Sequence, residues 1–284
     1  MHLLKTSYGI IQKIRITWQL RKLEVAQTGI DEGVPFVELT NHLRFFGLQS
    51  GKKDRKYYGI LPRNTQKMIP FECYKVATDI VIRYMEGGLK LGGPKKEHFY
   101  KVREGDVVAE MGAYMGYFTL YLAQKVGKNG RIIAIEPMKD NLRFLQKNIA
   151  FNGFDNVEII DKGVWNKNET ISFLRSPEDT QSASIGLKEG TKEEFTIEAK
   201  RLDSILEQCK AEHVNFMIIQ LNGAEPEALE GLETFRPDHL AIAARYKVSD
   251  RNPVQHITNL LKAREYKILV RSRKYIYGDG TVKK

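Results

Sequence analysis

The segment from residue 110 to residue 116 combines residue types and spacing that suit the binding of a nucleotide. It contains Glu110, Gly112 and Gly116, and it lies between an apolar run at residues 106–109 and a helix-like stretch at residues 117–126. A strand, a glycine turn and a helix in this order bring backbone N–H groups and a helix N-terminus against a nucleotide-like ligand. The pattern favours an enzyme as the first interpretation.

A second acidic residue supports this interpretation. Glu136 ends the apolar run at residues 131–135 and follows Gly116 by 20 residues. This is about the distance at which a carboxylate binds ribose hydroxyls in nucleotide-binding folds. In the alternative interpretation, Glu136 only caps the helix that follows it. The combined spacing favours binding of a nucleotide-type cofactor.

Glu110 indicates which cofactor this is. Methyltransferases place a carboxylate here, near the cationic amino group of S-adenosylmethionine, whereas dinucleotide enzymes usually have glycine, and the full G-x-G-x-x-G pattern is missing. Met138 could pack on the adenine ring or in the core, and Asp161 could meet the adenine amino group or cap a turn. The predicted cofactor-binding residues are Glu110, Gly112, Ala113, Tyr114, Gly116, Glu136, Met138 and Asp161.

From about residue 100 onward, strand-like and helix-like segments alternate. Strands are predicted at residues 106–111, 131–135, 157–160, 216–221 and 240–244, helices at 117–126, 140–151, 202–209 and 253–263, and a hairpin at 266–277. This alternation predicts an α/β fold with a mostly parallel seven-stranded sheet and helices on both faces. A parallel sheet that ends in a hairpin favours the Rossmann-like class I methyltransferase fold over a dehydrogenase.

Residues 105–233 resemble the FkbM family of S-adenosylmethionine-dependent methyltransferases. The resemblance rests on several segments in order, namely Gly105 to Ala113, Gly116-Tyr117-Phe118-Thr119, Glu136-Pro137, Asn148 with Asn152-Gly153, Leu202-Asp203 and Gly223-Ala224-Glu225. It implies a Rossmann-like fold and S-adenosylmethionine as methyl donor. It also implies an oxygen acceptor on a sugar, polyketide, lipid headgroup or similar small metabolite.

The chain departs from the family pattern on the acceptor side. Family members generally carry two acidic residues where this chain has Gln220 and Asn222, and a third acidic residue is replaced around Ala244. Amides cannot accept a proton from a hydroxyl at neutral pH, and they are poor ligands for hard divalent metals. We therefore predict no metal site. Gln220, Asn222 and Glu225 are the candidate catalytic residues, with the two amides orienting the acceptor.

Three explanations of the missing carboxylates stay open. Methyl transfer to an already nucleophilic atom can run on proximity, for which effective molarities of about 10⁵ to 10⁸ M are possible. Alternatively, Glu225, His42 or a tyrosine of the N-terminal region supplies a base, or the protein binds the cofactor without turnover. The histidines stand in no recognisable motif, which favours structural or exposed roles for His42, His98, His213, His239 and His256.

Positive charge is concentrated in the first third of the chain. Residues 1–105 hold 19 basic and 10 acidic residues, whereas the remainder holds 26 and 25. We divide the chain into a basic α/β extension at residues 1–99, predicted to be a substrate-side cap or lid, and a methyltransferase domain at residues 100–284. The extension suggests an anionic acceptor, an anionic membrane or nucleic acid, although a merely solvated surface is the alternative.

The first 25 residues have the pattern of a basic amphipathic helix. Such a helix could touch a membrane peripherally, pair with another subunit or dock on its own core. The oligomeric state is not indicated. Neither a membrane-spanning run nor a signal peptide is evident, which predicts a cytoplasmic protein. Cys73 and Cys209 match no metal spacing and are predicted to be buried free thiols.

The sequence thus predicts an S-adenosylmethionine-dependent methyltransferase that O-methylates a hydroxyl of a small metabolite, sugar or lipid headgroup. The missing carboxylates suggest one alternative, a non-catalytic S-adenosylmethionine-binding scaffold. The basic extension suggests a second alternative, an RNA methyltransferase. The RNA alternative ranks third because no RNA-binding motif accompanies the charge.

Overall fold

The computed structural model describes residues 15–16, 18–85, 95–175, 183–184, 193–245 and 252–281. Most of the predicted helix at residues 1–25 lies outside these ranges. So do Gly87 and Gly88, which the sequence predicts as the end of a helix at residues 73–85. The chain divides into two units. The smaller contains the described residues up to Lys95 with Met115–Leu120 and Phe144–Gly153, and the larger contains the described residues of Lys96–Tyr114, Tyr121–Arg143 and Phe154–Lys284.

The smaller unit contains an antiparallel sheet in the order β1-β2-β3, followed by short helices. The strands are β1 (Val25–Asp31), β2 (Val34–Leu39) and β3 (Arg44–Phe46), and the helices are α1 (Arg55–Tyr58), α2 (Arg63–Met68) and α3 (Tyr74–Asp79), which continues as a π-helical segment, Ile80–Met85. Strand-like runs of the sequence at residues 35–39 and 43–46 correspond to β2 and β3, and a helix-like stretch at residues 73–85 corresponds to the long helical segment. The sequence analysis missed β1, whose residues alternate poorly in burial, and the very short α1 and α2.

The larger unit contains a seven-stranded sheet and a four-stranded sheet. The strands are β4 (Val107–Met111), β5 (Arg131–Ile135), β6 (Val157–Ile160), β7 (Gly163–Trp165), β8 (Glu169–Arg175), β9 (Ala183–Ser184), β10 (Glu193–Arg201), β11 (Phe216–Ile219), β12 (His239–Ala243), β13 (Lys267–Arg271) and β14 (Tyr275–Asp279). The large sheet has the order β13-β14-β12-β11-β4-β5-β6, and the small sheet has the order β7-β10-β8-β9.

The large sheet is parallel except at β14, which pairs antiparallel with both β12 and β13. This order, with a terminal hairpin inserted beside five parallel strands, confirms the predicted class I methyltransferase fold. The helices are α4 (Tyr117–Val126), α5 (Lys139–Phe151), α6 (Leu202–Gln208), α7 (Glu225–Glu230) and α8 (Pro253–Ala263). All except α7 were predicted. The N-terminal α/β extension is confirmed as well.

Alternate residues of the parallel strands build the main core. Side chains such as Ala109, Ile133, Met217 and Leu240 are fully buried in one cluster with residues of α6, α7 and α8. Side chains on a strand alternate between the two faces of a sheet, so this register places the cluster on one face and fixes where each strand ends. Cys73 and Cys209 are buried free thiols, as predicted. None of the described helices has the length and apolar character needed to cross a bilayer.

Two asparagines of the family pattern form hydrogen bonds with the backbone groups at the outer edge of β3. Asn152 accepts from the N–H of Arg44 at 2.9 Å and donates to its carbonyl oxygen at 2.8 Å. Asn148 does the same for Phe46 at 2.7 and 3.1 Å. Unpaired backbone groups at a sheet edge cost free energy when water cannot reach them. The second half of α5, which belongs to the smaller unit, therefore takes the place of a fourth strand.

Candidate active site

The glycine turn after β4 is fixed to the ends of two neighbouring strands. The N–H groups of Gly112 and Ala113 donate to the carbonyl of Ile135, at the end of β5, at 2.9 and 3.1 Å. Gly112 has φ of +83°, and a Cβ atom there would lie 2.3 Å from the carbonyl oxygen of Gln220, beyond the end of β11. Only glycine tolerates this approach. The predicted donor turn and the predicted acceptor segment are therefore direct neighbours.

Glu136 fastens this turn to the start of α5. Its Oε2 accepts from the N–H of Tyr114 at 2.9 Å, and its Oε1 accepts from the N–H of Met138 at 3.1 Å and from Nδ2 of Asn141 at 3.0 Å. Tyr114 has φ of +58°, a left-handed conformation that these contacts help to hold. Glu136 thus caps the start of α5, which was the alternative interpretation from the sequence. It also fixes the conformation of the glycine turn.

Glu110 has a partner that the sequence did not predict. Nζ of Lys96 donates to Oε1 of Glu110 at 2.7 Å, and both side chains are buried. The glycine-rich, basic stretch up to Lys96 is typical of a linker, and this prediction is wrong at Lys96, which is buried in an ion pair. The neighbouring Glu97 is also buried, accepting from the N–H of Val102 at 2.8 Å and from the hydroxyl of Tyr121. A lysine in a glycine-rich basic stretch gives no local signal that it will be buried.

The segment after β11 is held by a carboxylate of its own. Glu225, at the start of α7, accepts from the N–H of Leu221 and from the N–H of Gly223, both at 2.9 Å. Burial raises the pKa of this carboxyl to about 7, although the backbone hydrogen bonds oppose the shift. Asn222 has φ of +53°, and both Asn222 and Gln220 are half-buried. These contacts define an acceptor loop, residues 220–225, that presents two amides.

A model of the methyltransferase FkbM domain matches residues 110–268, more than half of the chain. The chain belongs to the FkbM methyltransferase family. This match includes the glycine turn, Glu136 and the acceptor loop. The matched region is thus an FkbM methyltransferase domain, and S-adenosylmethionine is its cofactor, as the sequence predicted.

Curated relatives match part of this FkbM chain. Protein-L-isoaspartate O-methyltransferase 2 of Archaeoglobus fulgidus is 39% identical over 114 residues, which are 37% of this chain and 51% of the relative. Protein-L-isoaspartate O-methyltransferase of Methanococcus aeolicus is 36% identical over 59 residues, 21% of this chain and 27% of that protein. The chain therefore spans about half, or less, of the curated relatives that it matches.

Solved structures show lower identity. The methyltransferase FkbM from Methylobacillus flagellatus KT is 20% identical, with a TM-score of 0.46 over 63% of this chain and 45% of that one. Fibrillarin of Aeropyrum pernix with natively bound S-adenosyl-L-methionine is 15% identical, with a TM-score of 0.41 over 90% of this chain and 98% of that one. The fold assignment rests instead on the strand order described above.

The residues of the turn fit the donor of an FkbM methyltransferase. Asn141 is buried, and because its Nδ2 donates to Glu136, its Oδ1 is directed elsewhere and has no hydrogen-bond partner among the described residues. A buried acceptor of this kind is costly unless a ligand or water completes it. A nucleoside hydroxyl or amino group beside Glu136 would do so. The sequence analysis missed Asn141, whose only signal was its place five residues after Glu136.

The structure brings the other predicted cofactor residues into different surroundings. Ala113 and Tyr114 are buried beside Gly112, and Met138 is buried near the start of α5. Asp161 is exposed and lies 3.4 Å from Nζ of Lys162. Gly116 belongs to the smaller unit, where its φ of +83° favours glycine. A Cβ atom there would lie 2.6 Å from Cδ1 of Leu145, so that side chain would have to shift.

The histidines lie outside the turn and the acceptor loop. His213 and His256 lie 2.8 Å from Asp238 and Glu230, and His239 stacks on Tyr100 with ring centroids 4.0 Å apart. His42 and His98 are exposed. Within the described part of the chain, no group of three or more His, Cys, Asp or Glu side chains could hold a metal ion.

Proposed function

We propose that this FkbM methyltransferase transfers the methyl group of S-adenosylmethionine to an oxygen atom of a small acceptor, a hydroxyl of a metabolite, a sugar or a lipid headgroup. The observation that carries the proposal is the approach of Gly112 to the carbonyl oxygen of Gln220. This contact makes the acceptor loop the immediate neighbour of the donor turn. The curated relatives named above are O-methyltransferases by name, which supports oxygen as the atom methylated.

On the donor side, each residue has a separable task in this proposal. Glu136 would bind the ribose hydroxyls, Asn141 would complete that contact through Oδ1, and the backbone of residues 112–114 would hold the methionine portion. Glu110 would support this portion from the end of β4, paired with Lys96. Met138 would pack against the adenine ring, and Asp161 would meet its amino group at the exposed end. When bound, the donor supplies an electrophilic methyl group on its sulfonium sulfur.

On the acceptor side, Gln220 and Asn222 would orient the acceptor oxygen by hydrogen bonds. An amide both donates and accepts, so it can align a hydroxyl without removing its proton. Proximity and orientation then lower the barrier, and an acceptor oxygen that is already acidic or ionised needs no strong base.

Glu225 would position this loop rather than act as the base. Both of its oxygens accept backbone N–H groups of the loop, and the residue is 1% exposed. A general base must reach the proton that it removes, at about 2.6 to 3.2 Å or through one water. The contacts of Glu225 leave it facing the loop backbone. Whether residues 1–99 cover the acceptor stays a prediction.

The proposal is tested by supplying S-adenosylmethionine with a ¹³C-labelled methyl group to the protein and a fractionated cell extract. We expect label in the small-molecule or lipid fraction, and the ¹³C chemical shift of the product should identify a methyl group on oxygen. Label confined to RNA would replace the proposal with the RNA methyltransferase. Donor binding by calorimetry without label in any fraction would replace it with the scaffold.

A further inference from the structure

A strongly basic surface in the smaller unit takes no part in the proposed chemistry. It consists of α1, α2 and their flanks, residues 52–68, which we name the basic hairpin. Six of its side chains are exposed cations, namely Lys52, Lys53, Arg55, Lys56, Arg63 and Lys67. Its one acidic residue, Asp54, accepts from the N–H of Gly51 at 2.9 Å. Positive charge therefore dominates this surface.

Most of these cations lack an acidic partner. Within the part of the chain that the structure describes, Lys52, Lys56, Arg63 and Lys67 form no ion pair, and the guanidinium of Arg55 lies over the ring of Phe71 at 4.9 Å. Like charges this close in sequence repel one another, which costs stability unless an anion binds. The basic hairpin is thus suited to a polyanionic partner.

The basic hairpin holds a fixed shape. Nε2 of Gln66 donates to the carbonyl of Leu61 at 2.8 Å, and the hydroxyl of Tyr58 donates to the carbonyl of Gln66 at 3.3 Å. These bonds tie α1 to α2 and leave Ile60 at the turn between them. Arg63 and Lys67 lie four residues apart on α2 and share a face of that helix.

Exposed apolar side chains accompany the charge. Ile60 is 53% exposed and Met68 is 45% exposed. The hydroxyl of Thr28 donates to the carbonyl of Met68 at 3.3 Å, and Ile30, 56% exposed, lies two residues further on the same face of β1. Single exposed apolar residues are ordinary. Aliphatic tips beside several unpaired cations are typical of surfaces that bind an anionic lipid interface.

The aromatic residues favour a membrane over RNA. Single-stranded nucleic acids stack their bases on exposed aromatic rings. Both tyrosines of the basic hairpin are half-buried, and Tyr58 packs edge-on against Phe71 and Tyr74, with ring centroids 5.3 and 5.6 Å away. Its ring is turned toward the interior of the unit. The exposed apolar groups are aliphatic, which suits acyl chains rather than bases.

We propose that the basic hairpin docks on an anionic membrane surface. Its lysines and arginines contact lipid phosphates, and Ile60 and Met68 enter the interface between headgroups and acyl chains. The proposal concerns residues other than those of the donor turn and the acceptor loop. It holds whether or not the methyl acceptor is a lipid.

The test is co-sedimentation of the full chain with phosphatidylcholine vesicles that contain or lack phosphatidylserine. We expect binding only to the anionic vesicles, and we expect salt to weaken it. The variant Lys52→Gln/Lys56→Gln/Lys67→Gln should lose about a hundredfold in affinity, because each cation at an anionic surface contributes roughly a factor of five. Ile60→Ser leaves the charge unchanged and should lose about tenfold.

A matched control removes the same charge elsewhere. Lys128, Lys262 and Lys267 are exposed residues of the larger unit, and their joint replacement by Gln should change vesicle affinity less than threefold. Circular dichroism would confirm that each variant is folded. Equal loss in both triple variants would overturn the proposal. It would also be overturned if a homopolymer RNA bound in a manner sensitive to the hairpin lysines while anionic vesicles did not bind.

Discussion

The donor turn and the acceptor loop are both held by a buried carboxylate, but in different ways. Each is an irregular segment whose backbone N–H groups bind a buried carboxylate, Glu136 for the turn and Glu225 for the loop. Glu136 comes from the end of a neighbouring strand and shares its contacts with α5. Glu225 belongs to the loop itself. The donor turn is therefore fixed by the sheet, whereas the acceptor loop is fixed mainly by a carboxylate of its own.

The largest expected effect concerns the buried ion pair behind the donor turn. Replacing Lys96 by Met would remove the cation that pairs with the buried carboxylate of Glu110. Loss of one partner of a buried pair costs about 3–5 kcal/mol. We expect the free energy of unfolding, measured with urea, to fall by about that amount.

The double variant Lys96→Met/Glu110→Gln provides the control. It removes both charges, so most of the lost stability should return. If the double variant were as unstable as the sum of the two single variants, the pair would contribute no coupling. The donor turn would then not be supported through Lys96.

The contact between turn and loop is tested at Gly112. Alanine there would combine a left-handed backbone with a Cβ atom 2.3 Å from the carbonyl oxygen of Gln220. We expect a loss of about 3 kcal/mol in unfolding free energy, the strain of φ plus the overpacking. Gly105→Ala is the matched control, because Gly105 has φ of +85° but open space around its Cβ position. Gly105→Ala should lose about 1 kcal/mol in unfolding free energy. Equal losses in the two variants would mean that the close approach of Gly112 to Gln220 does not affect stability.

Donor affinity should depend on Glu136 far more than on Asp161. Glu136→Ala removes three hydrogen bonds to a charged acceptor and the predicted ribose contact, so we expect donor affinity to fall about a hundredfold. Asp161→Ala changes an exposed carboxylate and should cost threefold or less. Calorimetric titration with S-adenosylmethionine measures both. A larger loss at Asp161 than at Glu136 would reverse our assignment of the two ends of the donor site.

The parts of this site that sequence predicted are those set by local patterns. The apolar runs predicted the strands, and the 20-residue spacing from Gly116 to Glu136 selected a carboxylate that the fold places on the glycine turn. Its contact with the ribose stays a prediction. Lys96 and Asn141 could not be found this way, because their importance comes from partners that only the folded chain supplies. Helix α7 was missed since it is six residues long and opens with Glu225-Pro226. Short elements leave too few residues for a periodicity to stand out.

A smaller effect is expected at Glu225, and it depends on pH. Glutamine can accept only one of the two loop N–H groups, so Glu225→Gln should be less stable by about 2 kcal/mol near pH 5. Burial raises the pKa of Glu225 from 4.5 to about 7, so the folded state holds this proton more tightly than the unfolded state. The tighter proton binding stabilises the folded state. This contribution is fully present below pH 4.5 and is lost as pH rises through about 7.

The deficit of the Gln variant should therefore narrow between these pH values, as followed by urea unfolding at a series of pH values. A deficit that widened with pH would show that the loop prefers the ionised carboxylate. In that case the hydrogen bonds, and not burial, would control the titration of Glu225.

The most direct test of the central claim is methyl transfer by Asn222→Ala. With donor at saturation, we measure the rate at which labelled methyl enters the small-molecule fraction, and we measure donor affinity by calorimetry. The account predicts donor affinity within twofold of the wild type and a rate lower by about tenfold, the loss of one orienting hydrogen bond. An unchanged rate at every acceptor concentration would contradict the claim that the amides of this loop orient the acceptor.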